Sequence, residues 1–173
     1  MPTRPSEIAS KVAGKAKGIK AAIEGYRGIF RHLQEEHAEV SALMKRVAAG
    51  EEPDVRVKLF PKIHSELMSH AKAEEEEFYP VLEKHAELRE LIVQSEEEHE
   101  EIEQLLGELT TCDPGEDAWG DLFEELMTSV EEHVELEEKE LFVRAQEIID
   151  DDQSRKMLER YELAKKAQMQ RPS

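Results

Sequence analysis

Apolar residues along most of this chain recur at intervals of three and four, the spacing that lines one face of an α-helix. From about Tyr26 to Ala49 the stripe is Tyr26, Ile29, Leu33, Val40, Met44 and Val47, and Gly50 supplies a C-terminal stop. A second helix is predicted over about residues 54–79, with Leu59, Ile63, Leu67, Phe78 and Leu82 on one side. Pro61 should kink it or sit in its first turn, and Pro80 should bend or end it, because proline has no N–H to donate. A third helix, about 86–110, carries Ile92, Ser95, Ile102, Leu106 and Leu109. After the turn-rich TCDPGED, with Asp117 expected as a cap, a fourth covers about 118–149 with Leu122, Leu126, Val130 and Leu141 inward. Residues 153–168 read as a short, mostly polar helix that Met157, Leu158 and Tyr161 would dock. The pattern predicts an all-α fold: an up-down-up-down four-helix bundle over residues 26–150, an N-terminal arm over 1–25 and a C-terminal helical tail over 151–173.

Polar residues interrupt each apolar stripe at one level. His37 fills the gap between Leu33 and Val40, His70 and Glu74 fall on the inner side of the second helix, His99 on that of the third, and His133 with Glu137 on that of the fourth. A histidine and a glutamate four residues apart lie one above the other on a helix, so both can reach one point beside it. The text around them recurs. EEHAEV at His37 answers EEHEEI at His99 with an offset of 62, and HAKAEEEEFYPVL answers HVELEEKELFVRA with an offset of 63 for both the histidine and the glutamate. The chain is therefore predicted to hold two similar helical hairpins, each supplying one lone histidine and one histidine–glutamate pair to a shared interior.

Two carboxylates in such an interior need cations, since burying them unpaired costs several kcal/mol or forces protonation. No lysine or arginine lies on these stripes. Four imidazoles and two carboxylates exceed the needs of one tetrahedral zinc, whereas two glutamates can each bridge a pair of ions with two imidazoles completing each. Nitrogen and oxygen donors without thiolate suit iron or manganese.

Composition narrows the function classes. The 173 residues suit one domain of ordinary size, and 39% hydrophobic with 37% charged residues is too apolar for general disorder. A net charge of −18 argues against a nucleic acid or an anionic membrane as partner. Cys112 is the single cysteine, so no internal disulfide forms, and with no apolar leader or spanning run the expected location is cytoplasmic. The arm differs from the body in sign: Arg4, Lys11, Lys15, Lys17 and Lys20 against Glu7 and Glu24 give it +3. It reads either as an extension packing back on the acidic body or as a docking segment.

His37, His70 with Glu74, His99, and His133 with Glu137 resemble the ligand pattern of hemerythrin-like (HHE cation-binding) domains over about residues 26–148. The resemblance implies a left-twisted four-helix bundle around two non-haem Fe ions, bridged by both glutamates and an oxo or hydroxo group, with Mn or Zn as alternative metals. It implies a small-molecule ligand: dioxygen, nitric oxide or peroxide. Oxygen-carrying members place two histidines one turn apart on the third helix, whereas here Glu103 stands four residues after His99. Glu103 is thus a candidate terminal ligand. Without it, both metals would keep an open position, which makes peroxide chemistry as plausible as oxygen binding or sensing or iron handling. Three readings stay open: a ligand-binding module, a catalase- or peroxidase-like di-iron enzyme, and a metal-free helical interaction protein.

The remaining candidates have plainer readings. His64 is either an orienting group behind a ligand or a boundary histidine, and His32 and His85 are expected to be exposed. The runs Glu74–Glu77, Glu96–Glu98 and Glu135–Glu138 read as solvated faces except where a member is in register with a histidine. Tyr79, Phe78 and Phe142 are expected to pack the bundle end.

Overall fold

The computed structural model describes residues 25–50 and 52–171, and all regular structure among these is helical. The basic arm expected over residues 1–25 lies, but for its last residue, outside the described residues. Helix α1 spans Gly28–Ala49 and α2 spans Pro53–Ala73. A π-helical turn at Glu74–Phe78 joins α2 without a break to α3, Tyr79–Leu82. A 3-10 turn at Ala86–Leu88 leads into α4, Arg89–Thr111. Helix α5 spans Asp117–Leu136, a second π turn covers Glu137–Leu141, and α6 spans Phe142–Ile148. Helix α7, Asp151–Met169, closes the described chain. Pro61 sits inside α2 without ending it, while Pro53 takes the first turn, where a missing N–H costs nothing. Asp117 proves to be the first residue of α5 rather than its cap; Glu116 holds the cap position without a side-chain bond.

The π turns fall at equivalent positions of the two halves, each beginning at the glutamate of a histidine–glutamate pair. In each, the backbone N–H five residues on, Tyr79 or Phe142, donates to the carbonyl of that glutamate. The extra residue re-phases the helix, so that an aromatic ring follows the carboxylate on the same face. Pro80 is not the cause, since Val143 stands at the matching position of the second half.

Apolar packing forms two clusters separated by the polar level. One gathers Tyr26, Phe30, Leu33, Phe78 and Phe142 with Tyr161 from α7. The other gathers Val40, Met44, Leu67, Ile102, Trp119 and Val130. On α1, α2, α4 and α5 the chain passes from one cluster to the other through a histidine, which puts all four imidazoles between two dry layers. Helix α7 is more than a loosely docked tail. A capping box at Asp150 and Gln153 starts it, and it packs along α1 and α2. Its Ser154 hydroxyl accepts the Ile29 N–H at 3.0 Å, next to Gly28, whose φ of +58° suits a residue without a β-carbon.

Candidate metal centre

The structure brings together His37, His70, Glu74, His99, His133 and Glu137, all buried, with both glutamates at 0% exposure. His37 and His70 face each other with Nε2 atoms 3.2 Å apart, and His99 and His133 do so at 3.0 Å. Glu74 lies between the two pairs, with Oε1 3.2 Å from His70 Nε2 and Oε2 3.3 Å from His99 Nε2. Glu137 Oε2 lies 3.2 Å from His37 Nε2 and 3.7 Å from His133 Nε2. Donor atoms of His37, His70, Glu74 and Glu137 all lie within 4.8 Å of one another, as do those of Glu74, His99 and His133.

Each imidazole is held by a carboxylate on its outer nitrogen. His37 Nδ1 pairs with Glu138 Oε1 at 2.9 Å, His70 Nδ1 with Glu36 Oε2 at 3.0 Å, His99 Nδ1 with Glu75 Oε1 at 3.0 Å, and His133 Nδ1 with Glu98 Oε2 at 2.9 Å. The four form a ring. Glu36 beside His37 serves His70, Glu75 beside Glu74 serves His99, Glu98 beside His99 serves His133, and Glu138 beside Glu137 serves His37. A residue next to an inward-pointing one lies about 100° round the helix, so it faces the neighbouring helix rather than the centre. Glu75, Glu98 and Glu138 correct the expectation of plain solvated runs, and Glu36 had not been singled out. The signal was present in the sequence, since Glu36 and Glu98, and Glu75 and Glu138, obey the same offsets as the residues beside them.

With Nδ1–H donating outward, each Nε2 presents its lone pair to the centre. There the buried Glu74 Oε1 and Glu137 Oε2 find no hydrogen-bond donor. Lone pairs facing ownerless carboxylate oxygens in a buried layer are what a cation would satisfy, so the residues present fit a bound metal. Without one, protons must serve. Burial alone would depress the His70 and His99 pKa values, but the surrounding carboxylates outweigh it and push them up to about 10 and about 9. Burial works to raise the pKa of Glu74; His70 and His99 prevail and hold it well below the usual carboxylate range.

Two tyrosines that the sequence reading left to packing reach this centre. The Tyr79 hydroxyl donates to Glu137 Oε1 at 2.6 Å and lies 3.3 Å from both Glu74 Oε2 and His99 Nε2. Its ring stacks on His99, as Phe142 stacks on His37 in the other half, so a phenol on one side answers a phenyl on the other. From α7, the Tyr161 hydroxyl donates to Glu36 Oε2 and lies 2.9 Å from His70 Nδ1, and Lys165 pairs with Glu36 and Glu66. Nothing in the local pattern of residues 153–168 marks these contacts, because they depend on where α7 docks.

Glu103 is not brought to the centre. It is exposed, and its carboxylate pairs with Lys72 at 3.2 Å. On α4 it stands one turn beyond His99, but the inward direction there belongs to Ile102, which is 6% exposed. His64 lies against Phe60, away from the cluster. His32 is half-buried rather than exposed, near Glu36 and edge-on to Tyr161, and His85 is also half-buried. Opposite the Tyr79 end, a void of about 30 Å³ lies over the imidazoles, walled by Val40, Leu67, Ile102 and Val130.

Comparison with known proteins bears on this arrangement. The family model described as Hemerythrin HHE cation binding domain matches residues 28–145. A protein named DNA nickase from Nostoc sp. (strain PCC 7120) is 25% identical over 142 residues, covering 80% of this chain and 39% of that relative. The chain thus spans well under half of that relative's length. No solved structure matches the chain significantly.

Proposed function

Because the chain belongs to the hemerythrin HHE cation-binding domain family, we propose that it is a non-haem di-iron protein that takes up dioxygen or a related small ligand such as nitric oxide. The observation that carries this reading is the pair of ownerless carboxylate oxygens among four inward-facing imidazole nitrogens, beside a void of about 30 Å³. A cavity needs about 10–15 Å³ to hold one water, so this one has room for a ligand of two or three heavy atoms. The helix order fits an up-down-up-down bundle, with the ring of carboxylate–imidazole pairs running α1, α2, α4, α5. His37 and His70 would hold one ion, His99 and His133 the other, with Glu74 and Glu137 spanning both. An iron pair there would supply reversible electron exchange with the small ligand. The chain's own part is to fix the imidazoles through Glu36, Glu75, Glu98 and Glu138, and to keep bulk water out with the two apolar clusters.

A second reading, decomposition of hydrogen peroxide, is favoured by Tyr79. Its hydroxyl donates to Glu137 with 2.6 Å between the two oxygens, in a site where Glu103 stands away and would leave each ion two imidazoles. The acidic surface is the reason to carry neither nucleic acid nor membrane into the proposal, and DNA nicking is left with the relative that bears that name. Metal analysis with a near-ultraviolet spectrum tests the first reading. The protein should hold two irons, and Glu74→Ala or Glu137→Ala should lose both together; loss of a single equivalent would rule out carboxylates that span the pair. Oxygen evolution from hydrogen peroxide that vanishes in His70→Ala would favour the enzyme over the binding module.

A further inference from the structure

The two halves of the metal centre, alike in sequence, are unequal in the fold. Donor atoms of His37, His70, Glu74 and Glu137 lie within 4.8 Å of one another, whereas among the described residues His99 and His133 share that reach with Glu74 alone. Glu137 leans toward the first half: its Oε2 is 3.2 Å from His37 Nε2 and 3.7 Å from His133 Nε2. Two imidazoles with two carboxylates make a complete set of four for one ion, while three donors leave a position open.

The outer carboxylates differ in the same sense. Behind His37 and His70, the side chains of Glu138 and Glu36 are 12% and 13% exposed; behind His99 and His133, those of Glu75 and Glu98 are 27% and 20% exposed. At Glu36 the difference comes from α7. Tyr161 and Lys165 stand four residues apart, one above the other on its inner face. The buried Tyr161 hydroxyl donates to Glu36 Oε2 and lies 2.9 Å from His70 Nδ1, while the Lys165 ammonium donates to Glu36 Oε1 and, at 2.9 Å, to Glu66 Oε2. Both oxygens of Glu36 are thereby fixed. On the other side the described residues offer Glu98 only the amide of exposed Gln94, at 3.1 Å, and Glu75 the half-exposed Lys72. A hydrogen bond shielded from water is electrostatically stronger, and a carboxylate held at both oxygens keeps its imidazole aimed before any ion arrives. We propose that His37, His70, Glu74 and Glu137 form the retaining half of the centre, with Tyr161 and Lys165 of α7 as its positioning residues, and that His99 and His133 form the half from which an ion leaves first. This assignment rests on the di-iron reading above.

Full-length protein loaded with two equivalents of iron is challenged with excess chelator, and the iron released is followed in time. One equivalent should leave quickly and the other slowly. Lys165→Met, which keeps the aliphatic stem and drops the charge, should hasten the slow release by about tenfold or more and leave the fast one unchanged, since support lost behind a ligand histidine generally costs about 10–100-fold. Lys165→Arg should restore the slow release, and Glu98→Ala should hasten the fast one alone. If Lys165→Met loses its helical spectrum, Tyr161→Phe decides instead, because the ring stays and only the hydroxyl goes. Release of both equivalents in one phase would overturn the proposal, as would α7 variants that hasten both phases alike, the mark of general loosening. A protein that never takes up two equivalents would sink the di-iron reading and this assignment with it, and that failure shows at loading, before any chelator is added.

Discussion

At the scale of single residues, the outer carboxylates decide how the imidazoles behave. Among the described residues no lysine or tyrosine bonds Glu98, and its side chain is 20% exposed, yet it holds the outer nitrogen of His133. Glu36, by contrast, is tied down by Tyr161 and Lys165 from α7. Glu98→Ala should therefore lower metal affinity by about 10–100-fold while leaving the fold intact, as removing such a group behind a ligand histidine generally does. Competition against a chelator of known strength measures it. The sequence showed the six inward side chains because helical spacing alone aims them. It did not show which glutamate meets which histidine, because that depends on the neighbour across the helix gap, up to 101 residues away for His37 and Glu138.

At the scale of elements, the two π turns and the α1 start carry the geometry. Each π turn keeps its glutamate in line with the histidine four before it, then advances the helix so that Tyr79 or Phe142 covers the imidazole of another helix. A sequence reading at a fixed period of 3.6 assigns these rings to the bundle end, since the inserted residue leaves no compositional mark. Gly28 shows the same dependence on tertiary contact. A β-carbon there would come within 2.1 Å of the Ser154 hydroxyl oxygen, and the positive φ would strain any other residue. Gly28→Ala should cost about 1–3 kcal/mol and should weaken the seating of α7 against α1. A fall in the midpoint of urea unfolding measures the cost, and an unchanged midpoint would show that α7 simply shifts away.

At the scale of the whole molecule, the polar level between two apolar clusters makes metal content and stability one question. In the metal-free protein, His70 and His99 have pKa values raised from 6.5 to about 10 and about 9, so their contribution is fully present below about pH 6.5. It is lost as pH rises through those raised values. Glu36 and Glu74 are held below the ordinary 4.5, so their contribution is present above that value and lost as pH falls through the depressed ones. Chelated protein should lose thermal stability steadily from pH 6.5 to pH 10, whereas metal-loaded protein should hold it, because cations replace the departing protons. Metal uptake near pH 7 should accordingly release protons, detectable with a weakly buffered indicator. Equal melting curves for the two forms across this range would mean that the level is not held together by cations.

Local spacing was enough to settle that the chain is helical, that its two halves repeat, and that six side chains share one level on their helices, since each of these follows from residues within a few turns of one another. The partner of each imidazole, the phenol of Tyr79 at the centre, that of Tyr161 behind His70 and the turning of Glu103 to Lys72 were decided only when the helices packed. Those contacts depend on rotation about the helix axes and on residues distant in sequence, which no period along the chain encodes.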